Sequence, residues 1–128
     1  MSNKKVITTA LSPKAIGPYS QAILIDGYLF TSGQIPLCPL KNKIVFSSFE
    51  KQAYQTLNNL KNLLKSEDFK LSDIIKITVF LTNLKNFDLL NKIFAEYFID
   101  ENYPARSVVE VSKLPKNSKI EIEAICKK

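Results

Sequence analysis

The 128-residue chain contains no histidine and no tryptophan, only two cysteines and only three glycines. Without histidine, a Ser/His/Asp triad, a Cys/His dyad, imidazole general-base catalysis and the histidine-containing zinc sites are all excluded. Cys38 and Cys126 stand far apart with no Cys-x-x-Cys spacing. Neither reads as a metal ligand, and two such thiols fit a reduced, cytoplasmic protein rather than a disulfide framework. No run approaches the roughly 18 apolar residues of a membrane span, and Met1 to Thr9 lacks the apolar stretch of a signal peptide. Arginine is nearly absent too: Lys plus Arg totals 18 against 12 acids, a formal charge of +6, yet Arg106 is the sole arginine. The lysines are scattered singly or in pairs, which is the pattern of a solvated surface and argues against a nucleic-acid groove.

What remains is the composition of an ordinary globular domain, 45% hydrophobic and 23% charged, and residues 1–128 read as one domain with no internal linker. Val6–Thr9 forms a short strand. Leu11–Tyr19, with two prolines and a glycine, is a shaped loop. Ser20–Ile25 and Tyr28–Ser32 flank Asp26-Gly27, a type I′ hairpin signal. Prolines 36 and 39 leave Gly33–Val45 as a loop with a short edge strand at its end. Ser47 and Glu50 have capping-box spacing, and Phe49, Ala53, Leu57, Leu60 and Leu64 then recur at helical steps as far as about Ser66. Ile74–Thr82 is a β-branched strand with Ile75, Ile77, Val79 and Leu81 on one face and Ile74, Thr78 and Phe80 on the other. A second helix starts at Asn86 with the stripe Phe87, Leu90, Phe94 and Tyr97, and strands Arg106–Ser112 and Lys119–Cys126 follow. The order is β-β-β-α-β-α-β-β, an α+β fold with a mixed sheet and two helices on one face. Because the Ile74–Thr82 strand is apolar on both faces, the uncovered side is expected to meet another copy.

Chemistry concentrates at few positions. Arg106 opens a strand after a proline-ended loop, and its planar fork of donors suits a two-point carboxylate contact; the plainer alternative is an ion pair with Glu110, Glu121 or Glu123. Glu121 and Glu123 share one strand face with Lys119 and Ile125, a pattern that also fits a solvated stripe. Ser32-Gly33 ends a hairpin strand, where a glycine admits close approach beside a hydroxyl. Tyr19 offers a phenol or simply packs.

Four segments carry a resemblance: IGPYSQA (16–22), TSGQIP (31–36), PARSVVEV (104–111) and KLPKNSKIEIEAI (113–125). In that order and spacing they resemble the YjgF/YER057c/UK114 family, the RidA-type reactive-intermediate deaminases, over about residues 5–127. The resemblance implies a chorismate-mutase-like fold, a homotrimer and ligand pockets between subunits. It places site residues at Tyr19, Ser32, Gly33, Arg106 and Glu121. It implies hydrolysis of 2-aminoacrylate/2-iminopropanoate and 2-aminocrotonate/2-iminobutanoate to 2-keto acids and ammonia, sparing pyridoxal-phosphate enzymes, with no cofactor and no metal. Many members carry cysteine where this chain has Val108, whose backbone N–H remains free to donate to a carboxylate. In the expected chemistry Arg106 holds the substrate carboxylate, Glu121 orients water and carries its proton, and Ser32 and Tyr19 position the substrate nitrogen or the water. The competing class is a non-catalytic trimer that binds a 2-ketobutyrate-like carboxylate.

If Arg106 grips a carboxylate through two hydrogen bonds, Arg106→Lys keeps the charge and loses the fork. The expected cost is roughly 1.5–3 kcal/mol in carboxylate binding, about tenfold or more, in a chain that still folds. Calorimetric titration with 2-ketobutyrate measures it, and unchanged affinity rejects the two-point contact.

Overall fold

The computed structural model describes residues 3–44, 46–99 and 102–128. Along the chain run β1 (Lys5–Ile7), β2 (Ala22–Ile25), β3 (Tyr28–Thr31), β4 (Leu37–Cys38), β5 (Lys43–Ile44), α1 (Phe49–Lys65), β6 (Ile74–Leu81), α2 (Phe87–Tyr97), β7 (Ala105–Glu110) and β8 (Ile120–Lys127). Six strands form one mixed sheet in the order β1-β2-β3-β8-β6-β7, while β4 and β5 pair as a separate small hairpin. Every ladder is antiparallel except β6–β7, which α2 joins as a crossover. The expected strand and helix order therefore holds, with the β4–β5 hairpin added inside the proline-interrupted segment. Val45, the last residue of that segment, lies outside the described residues.

The period-two pattern of β8 organises the core. Ile120, Ile122, Ala124 and Cys126 are all buried beneath the helices, whereas Glu123 on the opposite face is exposed. From α1, Phe49, Ala53, Leu57, Leu60 and Leu64 face this surface, each at most 7% exposed. Burying a leucine of this kind stabilises the fold by about 1.5–3 kcal/mol. The helix begins one residue later than Ser47…Glu50 spacing implies. Ser48 is the N-cap, its hydroxyl accepting the Lys51 N–H at 3.3 Å, and Glu50 falls in the first turn at the positive end of the helix. In α2 the buried residues are Leu90, Ile93 and Phe94, while Phe87 stays 38% exposed at the flank.

β6 corrects a second expectation. A bulge between Ile74 and Lys76 puts Ile74 opposite Cys126 on the helix-covered face, together with Ile77, Val79 and Leu81, and leaves Ile75 47% exposed. The alternation read from sequence assumes an unbroken pleat, and one inserted residue reverses the side on which each isoleucine lies. The opposite face of the sheet has no helix on it and presents Val6, Tyr28, Phe30 and Val109, all between 37% and 52% exposed. No helix among the described residues is long and apolar enough to cross a membrane.

With so few glycines, non-glycine residues turn several left-handed corners. Asp26 and Gly27, at φ 51° and 81°, form the hairpin turn that their sequence predicts. Asp68, at φ 61°, closes α1: the Phe69 N–H reaches back to the Leu64 carbonyl at 3.0 Å, the six-to-one bond of a Schellman stop. Glycine is the usual residue there, and an acid lies unfavourably near the negative end of the helix. Asp68→Gly should accordingly raise stability by about 0.5–1 kcal/mol. Urea unfolding checks this, and a lower midpoint at unchanged slope would show that Asp68 makes a contact worth more than its strain.

Candidate active site

Residues from three irregular segments converge where β3 leaves its ladder. Phe30 pairs with Ile125, and the next backbone pairing with β8 is the exchange between Gln34 and Ile122, with the Thr31 hydroxyl accepting the Ala124 N–H between them at 3.0 Å. Three residues, Thr31 to Gly33, thus oppose only Glu123 and Ala124, which makes a bulge with one extra residue. The bulge places Gly33 against Glu121, where a Cβ would fall on the carboxylate itself, closer than any non-bonded contact allows. Any larger residue here would push the Glu121 carboxylate out of its place, so the glycine serves what approaches it rather than its own φ. Ser32 is fixed at both ends, its N–H donating to the Gln21 carbonyl at 2.9 Å and its hydroxyl to the Ser20 carbonyl at 2.5 Å. Its oxygen keeps lone pairs free to accept.

Tyr19 closes the cavity from the proline-glycine loop, its phenol oxygen accepting the Ile16 N–H at 3.2 Å. Together Tyr19, Ser32, Gly33 and Glu121, with Ile16, Ile35 and Pro115, enclose about 290 Å³. Glu121 makes no ion pair among the described residues. Burial, with a smaller contribution from the negative charge of Glu123, pushes its carboxyl above the ordinary carboxylate range.

Buried amides that sequence reasoning overlooked hold these loops. Gln21 donates to the carbonyls of Pro13 at 2.8 Å and Thr9 at 3.1 Å and accepts the Thr9 N–H at 2.7 Å. Asn59, fully buried in α1, donates to the carbonyls of Leu37 at 2.9 Å and Ile35 at 3.1 Å. Gln34 accepts from Ser12 at 3.1 Å and donates to the Ser32 carbonyl. Each satisfies backbone groups that no ladder reaches. For Asn59 the available signal was a polar residue beside the apolar stripe of α1.

Arg106 is elsewhere. β7 pairs Arg106 with Ile77 and Val108 with Val79, so both side chains lie on the helix-covered face, whereas Glu121 pairs with Phe80 on the open one. One chain therefore cannot bring Arg106 and Glu121 to the same ligand. The guanidinium donates to Asn91 Oδ1 at 2.7 Å and lies over the rings of Phe94 and Phe87, 5.1 and 5.6 Å from their centroids. Burial lowers its pKa. The anticipated alternative, an ion pair with Glu110, Glu121 or Glu123, is not formed, and Glu110 instead accepts the Leu84 N–H at 2.9 Å. Asn91, Phe94, Tyr103, Pro104 and Arg106 line a cavity of about 340 Å³. Asn91 escaped the sequence reading, although it sits four residues after Phe87 and three before Phe94 on one helix flank. Val111 N–H donates to the Leu81 carbonyl at 2.8 Å. Strand alternation then turns the Val108 N–H away from β6, toward the open edge that β7 forms. Arg106 and that N–H border one surface.

The sequence profile of the endoribonuclease L-PSP family matches residues 9–128. The chain belongs to this family, the YjgF/RidA group. Within it, the human 2-iminobutanoate/2-iminopropanoate deaminase is 41% identical over 122 residues, covering 95% of this chain and 88% of that protein. The reactive intermediate deaminase TdcF of Escherichia coli is 43% identical over 124 residues, 95% of each chain. A solved Rid-family protein of Yersinia pestis superposes with a TM-score of 0.94 at 46% identity, covering 98% of this chain and 99% of its own. The names of these relatives support a RidA-type function, and the fold is that of the family.

The environment of Glu121 generates a titration test. A raised carboxyl pKa means that the folded chain holds this proton more tightly than the unfolded chain does. The stability linked to it is full below the unfolded pKa and lost as pH rises through the folded value. Glu121→Gln should therefore leave stability at neutral pH unchanged or slightly higher. Carboxyl NMR should show the Glu121 midpoint above the ordinary range, falling but not to the ordinary value in Glu123→Gln, because burial is the larger cause. An unshifted midpoint would remove Glu121 as a poised proton carrier.

Proposed function

We propose that residues 1–128 form a single-domain cytoplasmic deaminase that hydrolyses small 2-imino acids and their enamine tautomers, the 2-iminopropanoate and 2-iminobutanoate class, to 2-keto acids and ammonia. One observation carries the reading. A guanidinium without an acid and a half-buried carboxyl with a raised pKa and no basic partner sit at cavities on opposite faces of one sheet. Joined by a second copy, they make a complete site, with a cation for the substrate carboxylate on one side and a proton carrier on the other. The contact is heterologous, since two different surfaces meet, and such contacts close as rings of three or more. A homotrimer is the smallest, and the exposed apolar side chains of the open sheet face supply its interface. The named activity of the human relative and the serine bound in solved TdcF, a molecule with the same carboxylate and α-nitrogen, support the substrate class.

Arg106 holds the substrate carboxylate through its fork, with the outward N–H of Val108 as a third donor. Asn91 and the two rings fix the angle of the guanidinium. In the neighbouring half, Glu121 takes a proton from water as the water oxygen bonds to the imine carbon and the C=N electron pair moves to nitrogen. It returns that proton to nitrogen to give the carbinolamine, then carries the hydroxyl proton to the same nitrogen, so that the C–N bond breaks and ammonia leaves as the carbonyl forms. Tyr19 and Ser32 orient the water or the nitrogen, and Gly33 leaves the Glu121 carboxylate room to reach it. Every group used belongs to the protein or the substrate, so the step as written calls on no cofactor or metal.

The test is mixing. Arg106→Ala and Glu121→Gln should each lower the rate of 2-aminoacrylate hydrolysis by about 10²–10⁴. When the two variants are unfolded and refolded together in equal amounts, roughly one site in four should combine the intact halves and recover activity. Failure to recover, with both variants folded and assembled, would place the two groups in separate sites. Keto-acid binding without any ammonia release would assign the protein to carboxylate binding alone.

A further inference from the structure

The two hydroxyls that line the Glu121 cavity are already bonded to backbone groups, and in opposite senses. The Ser32 hydroxyl donates its single proton to the Ser20 carbonyl at 2.5 Å, a short bond that holds the proton there. Toward the cavity it can only accept. Turning the proton to a ligand would strip the Ser20 carbonyl of this donor. Ser32 is held on both sides as well, its N–H on the Gln21 carbonyl at 2.9 Å and its own carbonyl accepting from Gln34 Nε2 at 3.3 Å. The Tyr19 phenol is the reverse. Its oxygen accepts the Ile16 N–H at 3.2 Å, which turns the phenolic proton away from Ile16, and among the described residues that proton has no acceptor. It is free to be donated to a ligand.

Substrate and product of the proposed deamination differ in the same sense. An imine carries an N–H donor on the α-carbon, whereas a 2-keto acid carries an oxygen there that only accepts. We propose that Ser32 and Tyr19 sort the two heteroatoms on that carbon: Ser32 holds the substrate nitrogen by accepting its N–H, and Tyr19 donates to the oxygen that arrives as water and leaves as the keto oxygen. The assignment rests on the proposed deaminase function. Glu121, which carries protons from that oxygen to that nitrogen, serves both. A keto oxygen placed at Ser32 would meet lone pairs with no proton between them, so the position favours the nitrogen-bearing substrate over the product.

The experiment titrates the assembled protein calorimetrically at neutral pH with two carboxylates that share one ethyl group. L-2-aminobutyrate has an ammonium that only donates, and 2-ketobutyrate has a keto oxygen that only accepts. Ser32→Ala should weaken 2-aminobutyrate by about tenfold and leave 2-ketobutyrate as tight or tighter. Tyr19→Phe should weaken 2-ketobutyrate by about threefold to tenfold and spare 2-aminobutyrate. The quantity read is the ratio of the two affinities, which a loosened loop or a general loss of stability does not move. A ratio unchanged in either variant, or loss of both ligands together, would overturn the assignment and leave the deaminase function standing. Absence of binding to the unaltered protein, or binding undiminished in Arg106→Ala, would overturn the proposed site and the assignment with it.

Discussion

Strand β8 is the constraint on which the rest depends. It lies between β3 and β6 and pairs with both, so its residues cannot exchange faces without breaking two sets of backbone bonds. Ile120, Ile122, Ala124 and Cys126 are committed to the core beneath α1, and that commitment forces Glu121 onto the face without helices. The same sheet, extended through β6 to β7, commits Arg106 to the opposite side. The separation of the two groups follows from registry, and no side-chain rotation can undo it.

Much of this was legible in the sequence. The stripe of α1, the Asp26-Gly27 turn and the division of β8 into a buried and a polar face follow from periods of 3.6 and 2.0, which sterics impose whatever the tertiary surroundings. The pattern misled where the chain departs from those periods. Ile74 and Ile75 exchange faces because a bulge inserts one residue, and the cap falls on Ser48 because two adjacent serines compete for one role. The pocket residues Tyr19, Ser32, Gly33 and Glu121 are brought together as expected, while Arg106 stands apart. Its face depends on the register of β7 against β6, a long-range pairing that local sequence does not encode.

The residues that support the site were the least legible. Gln21, Gln34 and Asn59 are buried amides whose work is to satisfy the carbonyls of loops, and a single sequence does not reveal which loop carbonyls lack partners. Asn91 differs from them: it is exposed, and its side-chain oxygen accepts from Arg106. The two thiols stand outside this arrangement. Cys126 is buried in the core, and burial pushes its thiol up to about 12, while Cys38 lies in the β4–β5 hairpin, where backbone N–H groups of Lys41 and Leu40 lower its pKa. Neither lines the cavity at Glu121 or the one at Arg106.

The uncovered sheet face and the unpaired edge of β7 bear on how the protein fails when heated. A lone chain exposes Val6, Tyr28, Phe30, Ile75 and Val109 beside a strand edge whose backbone donors and acceptors point outward. Such a surface, left uncovered, recruits further chains. Thermal loss is then decided by the race between refolding and coagulation. Inactivation half-life depends on protein concentration and heating rate, and a melting temperature read from a single scan is a kinetic quantity.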